Sequence, residues 1–365
     1  MLERSSHEDQ VARLRLSRSE QIGPVTYRQL LARFGSAAAA LDAVPQLAAR
    51  SGGRVPRLAS RDAIEREMTQ VEQLGARYLF LGQDLYPGLL TQIDSAPPAL
   101  IAKGDFGLLD KPAIAMVGAR NASAAACRFA RTLAQQLGQS DTVIVSGLAR
   151  GIDTAAHDGA LETGTIGVIA GGIDIFYPPE NEARQRSIGE RGLLLAEQPP
   201  GTEPRARHFP YRNRIIAGLA GGTVVIEAAP KSGSLITARY AAEFGRDVMA
   251  VPGSPLDPRA QGCNQLIREG AVLVQNAADV LETVRPFALR TVAQAGATYD
   301  AEGGSMDASE SDRRTVKDLL SPTPVSIDEV IRQSGLPSAA VQIVLLEFEL
   351  GGQLERHAGG RVSLA

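Results

Sequence analysis

Residues 208–217 read HFPYRNRIIA and place Phe209, Tyr211, Arg212, Asn213 and Arg214 within six positions. The chain has no Trp and only 4% aromatic residues, so this concentration is unusual. A hydrophobic core has no use for two arginines and an asparagine beside its scarce rings. Rings with cations alongside are what a flexible nucleic-acid strand requires: faces for unstacked bases and charge for phosphates. Three glycine-rich turns add to this: Gly118-Ala119-Arg120, Gly147-Leu148-Ala149-Arg150-Gly151-Ile152-Asp153 and Lys231-Ser232-Gly233-Ser234-Leu235-Ile236-Thr237. Each precedes a helical pattern, and glycines admit a ligand close to backbone amides that a helix N-terminus makes electropositive.

Two phosphate-binding signatures are absent. A dinucleotide fingerprint needs G-x-G-x-x-G and an acid at the end of the second strand. The first turn holds one glycine, and Ser146-Gly147 stands where the acid belongs. G-x-x-x-x-G-K-[ST] is also missing, since Lys231 precedes its glycine. Each chemical reading has a plainer partner. Arg120 is an anion clamp or a surface ion-pair partner, and Ser232 or Ser234 cradles an anion or simply caps a helix. Asp153 is most simply a first-turn residue stabilising nearby amides. His157 has no evident serine, cysteine or carboxylate partner and reads as a packed or exposed helical histidine.

The elements that must hold these turns follow a strand–turn–helix rhythm. Apolar runs at 113–117, 142–146, 165–170, 193–196, 223–227, 247–251 and 271–274 predict about seven strands, with helices between most of them. Continuous apolar strands alternating with helices mean a Rossmann-like, doubly wound, mostly parallel α/β sheet. Ligands then bind outside the carboxyl ends of the strands, where nearly all the unusual residues fall. Ahead of this, Ile22-Gly23-Pro24 with Leu30, Leu31, Phe34 and Gly35 resembles one helix-hairpin-helix unit, or a small helical packing module. Behind it, three short helices and a hairpin turning at Gly359-Gly360 read as a winged helix. Its third helix, SAAVQIVLLEFEL, carries two glutamates and no cation, which suits a protein-interaction or regulatory module better than duplex reading. The expected division is a helical N-terminal domain at 1–85 (SAM-like or helix-hairpin-helix-like), a Rossmann-like DNA-binding domain at 86–286, a flexible linker at 287–310 and a winged-helix domain at 311–365.

The net charge of −3 means that any anion site is a local cluster rather than a global field. Two cysteines, Cys127 and Cys263, are too few for a disulfide framework and lack metal-like spacing. The N-terminal residues lack an apolar signal core, and no window is long and apolar enough for a membrane span. The expectation is a cytoplasmic protein with no membrane association.

The segments VGARNAS, SGLARGIDTAAHDGAL, AGGIDIFYPPEN, EQPPGTEPRARHFPYRNRIIAGLA, EAAPKSGSLITARYAAEFGRDVMAVPG and GCNQLIREGA together resemble the DNA-processing protein A family (DprA, also called Smf), densely over residues 87–283. The flanking modules also fit that family's architecture. The resemblance implies a protein that is not an enzyme and uses no cofactor or metal. It would bind and protect single-stranded DNA taken up in natural transformation and load the RecA recombinase onto it. It would act as a homodimer through the Rossmann-like domain. Carried over by motif position, the DNA-facing residues are Gly118, Arg120, Ser146, Gly147, Arg150, Gly151, Phe209, Arg212, Asn213, Arg214, Lys231, Ser232, Gly233 and Ser234. In physical terms Arg120, Arg150, Arg212, Arg214 and Lys231 would neutralise phosphates, and the amides at 147–151 and 232–234 would hold phosphate oxygens. Phe209 or Tyr211 would offer a ring to a base, and Asn213 would touch a base edge or pin the loop. The alternative is a resemblance of Gly221-Gly222-Thr223-Val224-Val225-Ile226-Glu227 to the GG-x-GT-x-x-E signature of nucleoside-monophosphate phosphoribohydrolases of the lysine-decarboxylase-like group. There the glutamate is catalytic, but here it follows a β-branched run and one glycine is missing.

Overall fold

The structure, a computed structural model, describes residues 6–284, 307–357 and 359–365. Most of the expected linker at 287–310 therefore lies outside the described residues. Contacts divide the chain into two units, Glu67–Thr298 and a second that joins Met1–Arg66 to Tyr299–Ala365.

The chain opens with helices α1 (His7–Ser17), α2 (Pro24–Phe34) and α3 (Ala37–Arg50), and α4 (Arg61–Gln73) carries the boundary between the units. Then come β1 (Arg77–Phe80), α5 (Gly88–Thr91), β2 (Ala99–Gly104), β3 (Ala113–Gly118), α6 (Ala124–Gln139) and β4 (Val143–Ser146). Next are α7 (Ile152–Ala160), β5 (Thr165–Ile169), α8 (Glu182–Arg191), β6 (Leu193–Ala196), α9 (His208–Leu219) and β7 (Gly222–Ile226). The unit closes with α10 (Gly233–Glu243), β8 (Asp247–Ala250), α11 (Gln261–Arg268), β9 (Val272–Leu273) and a further helix over 277–284.

These strands form one nine-stranded sheet in the order β1-β2-β6-β5-β4-β3-β7-β8-β9. The seven strands expected from the sequence are all present and run parallel. Two antiparallel strands, β1 and β2, extend the edge beside β6. Neither is among the seven expected strands; the apolar run of β2 begins directly after Pro97-Pro98, a pair that reads as a loop signal.

The apolar strands are unbroken because both faces of the sheet are covered. Ala113, Ala115 and Val117 of β3 pack with Ile215, Ile216 and Leu219 of α9 and Ala238 of α10, whereas Ile114 and Met116 pack with Leu133 and Leu137 of α6 and Ile152 and Ala156 of α7. The chain steps from β3 through β4 and β5 to β6 on one side, then crosses back to place β7 on the other side of β3. The strand order thus reverses between β3 and β7, which puts the crevice expected of such sheets outside their carboxyl ends. The turns at 118–120 and 227–233 lie there.

The second unit combines the two ends of the chain. Helices α12 (Glu310–Asp318), α13 (Ile327–Ser334) and α14 (Ser338–Leu350), with strands β10 (Val325–Ser326), β11 (Leu354–His357) and β12 (Arg361–Leu364), make the winged helix. Leu346 and Leu350 of α14 are buried in the same core as Leu41 and Val44 of α3 and Leu30 of α2. Gln29 donates to Gln342 at 3.0 Å, and Arg33 and Arg50 both pair with Asp307. The third helix is therefore occupied within the chain. Its Glu347, fully buried, accepts a bidentate pair from Arg313 at 2.7 and 3.0 Å, so one of the two glutamates of this helix faces the interior.

Candidate nucleic-acid interface

Gly118 ends β3 opposite Ile226 of β7, and the chain then turns through Ala119 and Arg120 to Ser123, whose hydroxyl caps α6. Glu227, the residue after β7, takes both the amide and the hydroxyl of Ser123, at 2.8 and 2.6 Å. This carboxylate ties the first turn to the third across the switch point. Its φ of +48° is a conformation that side chains seldom adopt, so the residue is held in place for that contact.

Beyond β4, Asp153 is buried and its Oδ2 accepts from the amides of Gly147 at 3.1 Å and Ala149 at 3.3 Å. Burial raises its carboxyl above the ordinary range, against the pull of Arg212 and the two amides. The amides of Gly147 and Ala149 are thus satisfied internally and are not free for phosphate oxygens, which narrows the expectation for the 147–151 turn. The glycines there serve contacts between turns. A Cβ on Gly147 would stand 1.5 Å from Nη1 of Arg212, and one on Gly151, at φ +73°, would stand 2.2 Å from the carbonyl of Ala119. Ser146 is fully buried, and its hydroxyl donates to the Met116 carbonyl at 2.6 Å, binding β4 to β3.

The 208–217 segment is helix α9, and its polar residues turn inward rather than outward. Arg212 is 6% exposed and donates from Nη1 to the Val168 carbonyl at 3.1 Å, while its Nε has no partner. Burial pushes its pKa down to about 10, with Asp153 pulling the other way. Asn213 donates to the Gly233 carbonyl at 3.2 Å, pinning α9 to the start of α10. Arg214 is 4% exposed and bridges the Ser95 carbonyl and the Glu197 carboxylate. Both arginines were expected to neutralise phosphates; both are instead consumed by the interior, because α9 lies against the sheet on the side that carries them.

Arg120, Arg150 and Lys231 remain at the surface at the carboxyl ends of β3, β4 and β7. Arg150 is paired with Glu180. Lys231 occupies a left-handed turn at φ +67°, ahead of Ser232, which caps α10 through the Ser234 amide; Gly233 is exposed and Ser234 buried. Phe209 is half-buried, with Cζ of Arg120 at 5.3 Å and Cζ of Arg212 at 6.0 Å from its ring centre. Tyr177, from the β5–α8 connection, packs its ring 5.6 Å from that of Phe209. Sequence reasoning missed Glu227 as a clamp and Tyr177 altogether. Tyr177 sits in the quoted AGGIDIFYPPEN segment, and a ring after a strand end was the signal available.

His157 is of the packed kind. Its Nδ1 meets the Thr165 hydroxyl at 2.7 Å, and Thr165 in turn donates to the Ile144 carbonyl at 3.0 Å. Burial pushes its pKa down to about 3, so it stays neutral in the fold.

Residues 77–285 match the family described as DNA recombination-mediator protein A, more than half of the chain. The chain belongs to this family. Residues 7–69 match the DprA-like N-terminal HHH domain and residues 301–360 the DprA winged helix domain. The DNA processing protein DprA of Streptococcus pneumoniae is 50% identical over 200 residues, covering 54% of this chain and 71% of that one. Protein Smf of Escherichia coli is 34% identical over 310 residues, covering 83% and 82%. The X-ray structure of the S. pneumoniae protein superposes with a TM-score of 0.65 at 35% identity, covering 77% of this chain and 99% of that one. DNA processing protein A of Helicobacter pylori superposes with a TM-score of 0.52 at 30% identity, covering 57% and 96%. The DprA/Smf resemblance and the Rossmann-like architecture with helical and winged-helix modules thus hold.

Proposed function

We propose that this member of the family binds single-stranded DNA at the carboxyl ends of β3, β4 and β7 and loads the RecA recombinase onto it during natural transformation. The observation that carries the binding site is the set of surface cations Arg120, Arg150 and Lys231 brought to one sheet edge in a chain of net charge −3. The structure of the H. pylori relative was determined for its single-stranded DNA binding mode, which supports the same partner here. Phosphates along the three cations and an unstacked base beside them suit a splayed strand better than a stiff duplex.

Lys231 with the Ser232–Gly233 turn and Arg120 form the phosphate-facing part of this site. Gly118, Ser146, Gly147, Gly151, Arg212, Asn213, Arg214 and Ser234 shape it from beneath. No catalytic step is assigned. The phosphoribohydrolase alternative needs Glu227 facing a substrate, and that carboxylate is spent on Ser123. We further propose a homodimer through the Rossmann-like unit, with β9 as the pairing edge: it ends the sheet, and Val272 and Leu273 are both exposed on it. No described helix is long and apolar enough to cross a membrane, and a cytoplasmic setting fits a DNA partner.

Fluorescence anisotropy with labelled oligo-dT tests the binding. Affinity should fall as salt rises, with a log–log slope of about 0.7 per phosphate neutralised. Absence of oligonucleotide binding at low salt would overturn the proposal. Release of free base from AMP would favour the enzyme instead.

A further inference from the structure

Three large aromatic rings lie near the candidate site, and they are not equivalent. Phe209 is half-buried, with two guanidinium groups and the Tyr177 ring within 6.0 Å of its centre. Tyr211 is 57% exposed but stands two positions along α9 from Phe209, about 200° around the helix, so it points away from Phe209, Arg120 and Tyr177. Tyr177 is 46% exposed and belongs to the same cluster as Phe209 and Arg120, its ring tilted 55° to that of Phe209.

The loop that carries Tyr177 is held at several points. The Ile175 carbonyl accepts from Gln185 of α8 at 3.0 Å, and the Pro178 carbonyl accepts from the Asn181 amide at 2.9 Å. The Asn181 side chain reaches the Leu148 carbonyl at 2.8 Å, tying this loop to the turn after β4. The neighbouring Phe176 ring is covered by Arg186 at 4.4 Å and is not available. A large ring left half open on a braced loop, backed by a second ring that itself carries the Arg120 guanidinium, is organised before any partner arrives, so little ordering entropy opposes its use.

We propose that Tyr177 is the platform on which an unpaired base of the strand stacks, with Phe209 bracing it from the protein side and Arg120 meeting the adjoining phosphate. This rests on the single-stranded DNA reading above. It also assigns Tyr211 no part in base contact.

The full chain is titrated against labelled oligo-dT and against a strand of equal length with abasic residues throughout. Tyr177→Leu should weaken binding to oligo-dT by about 5- to 150-fold, the range for one lost base–aromatic stack. Tyr177→Phe should restore wild-type binding, and Tyr211→Leu should bind as wild type. On the abasic strand Tyr177→Leu should match the wild-type protein, because its phosphate contacts are intact; a merely structural role for the ring would weaken both strands alike. The proposal is overturned if Tyr177→Leu binds oligo-dT normally, if it loses the same factor on the abasic strand, or if the loss appears in Tyr211→Leu instead. In each of those cases wild-type binding still stands. If the wild-type chain binds neither strand at low salt, the single-stranded DNA reading fails and the platform with it.

Discussion

The turns at the sheet edge and the helix beneath them contain the same residue type in opposite service. Arg120 and Arg150 stand in solvent at strand ends, whereas Arg212 and Arg214, on the helix beneath, are nearly sealed. A guanidinium in solvent can meet a phosphate without breaking an interior contact. A guanidinium capped by Val168 or Ser95 carbonyls and a carboxylate is a strut, and its removal leaves those acceptors unpaired. The two classes should separate cleanly in experiment: buried arginines should report on stability, exposed cations on binding and its salt dependence.

The largest effect expected is that of Arg214→Ala. It leaves Glu197 without its partner in a mostly closed site and should lower unfolding stability by on the order of 3 kcal/mol, read from urea denaturation. An Arg214→Ala protein of normal stability that binds oligo-dT weakly would place Arg214 with the clamps after all and erase the contrast.

His157 sharpens the buried side. Its pKa falls from 6.5 to about 3 on folding, so below pH 6.5 the unfolded chain takes up a proton that the native state does not. Stability contributed by the neutral ring is therefore complete above pH 6.5 and declines as pH falls towards 3. Between pH 7 and pH 5 the loss should be about 2 kcal/mol, measured as a shift in the urea midpoint that His157→Gln abolishes.

On the exposed side, Arg120→Ala and Lys231→Ala should each weaken oligo-dT binding by about 1 kcal/mol at low salt. Each should also lower the salt slope by about 0.7, with the urea midpoint unchanged. Arg150→Ala should have the smallest effect, because Glu180 already offsets part of that charge. Removing the offset with Glu180→Gln should strengthen binding slightly, and a weaker complex would show that the ion pair positions the turn instead.

The parallel sheet was legible from its apolar runs because strands buried on both faces are apolar without interruption, and β2 escaped only because a proline pair disguised its start. The three turns were legible for a related reason: glycine, serine and lysine beside a helix start mean the same thing in most folds. The helix at 208–217 was misread in its polarity. Rings and cations in one segment look like an open surface, yet α9 has strands on one side and turns above it, and only Tyr211 escapes both. Asp153 was read as a stabiliser of its neighbouring amides, and it is one. The consequence, that those amides are withdrawn from any ligand, is visible only in the distances. The union of the chain's two ends was invisible as well: Leu346 and Leu350 look like any apolar stripe, and nothing local states that α3 is what covers them.

Local patterns thus settled the parallel strands, the helix starts, the turns and the family, because each depends on residues adjacent in the chain. Which cations meet solvent, which ring keeps an open face and which ends of the chain share a core were settled by packing. Those outcomes depend on what lies across a helix or a turn from a residue, and the neighbours concerned are 44 positions away in sequence for Arg212 and 119 for Arg214.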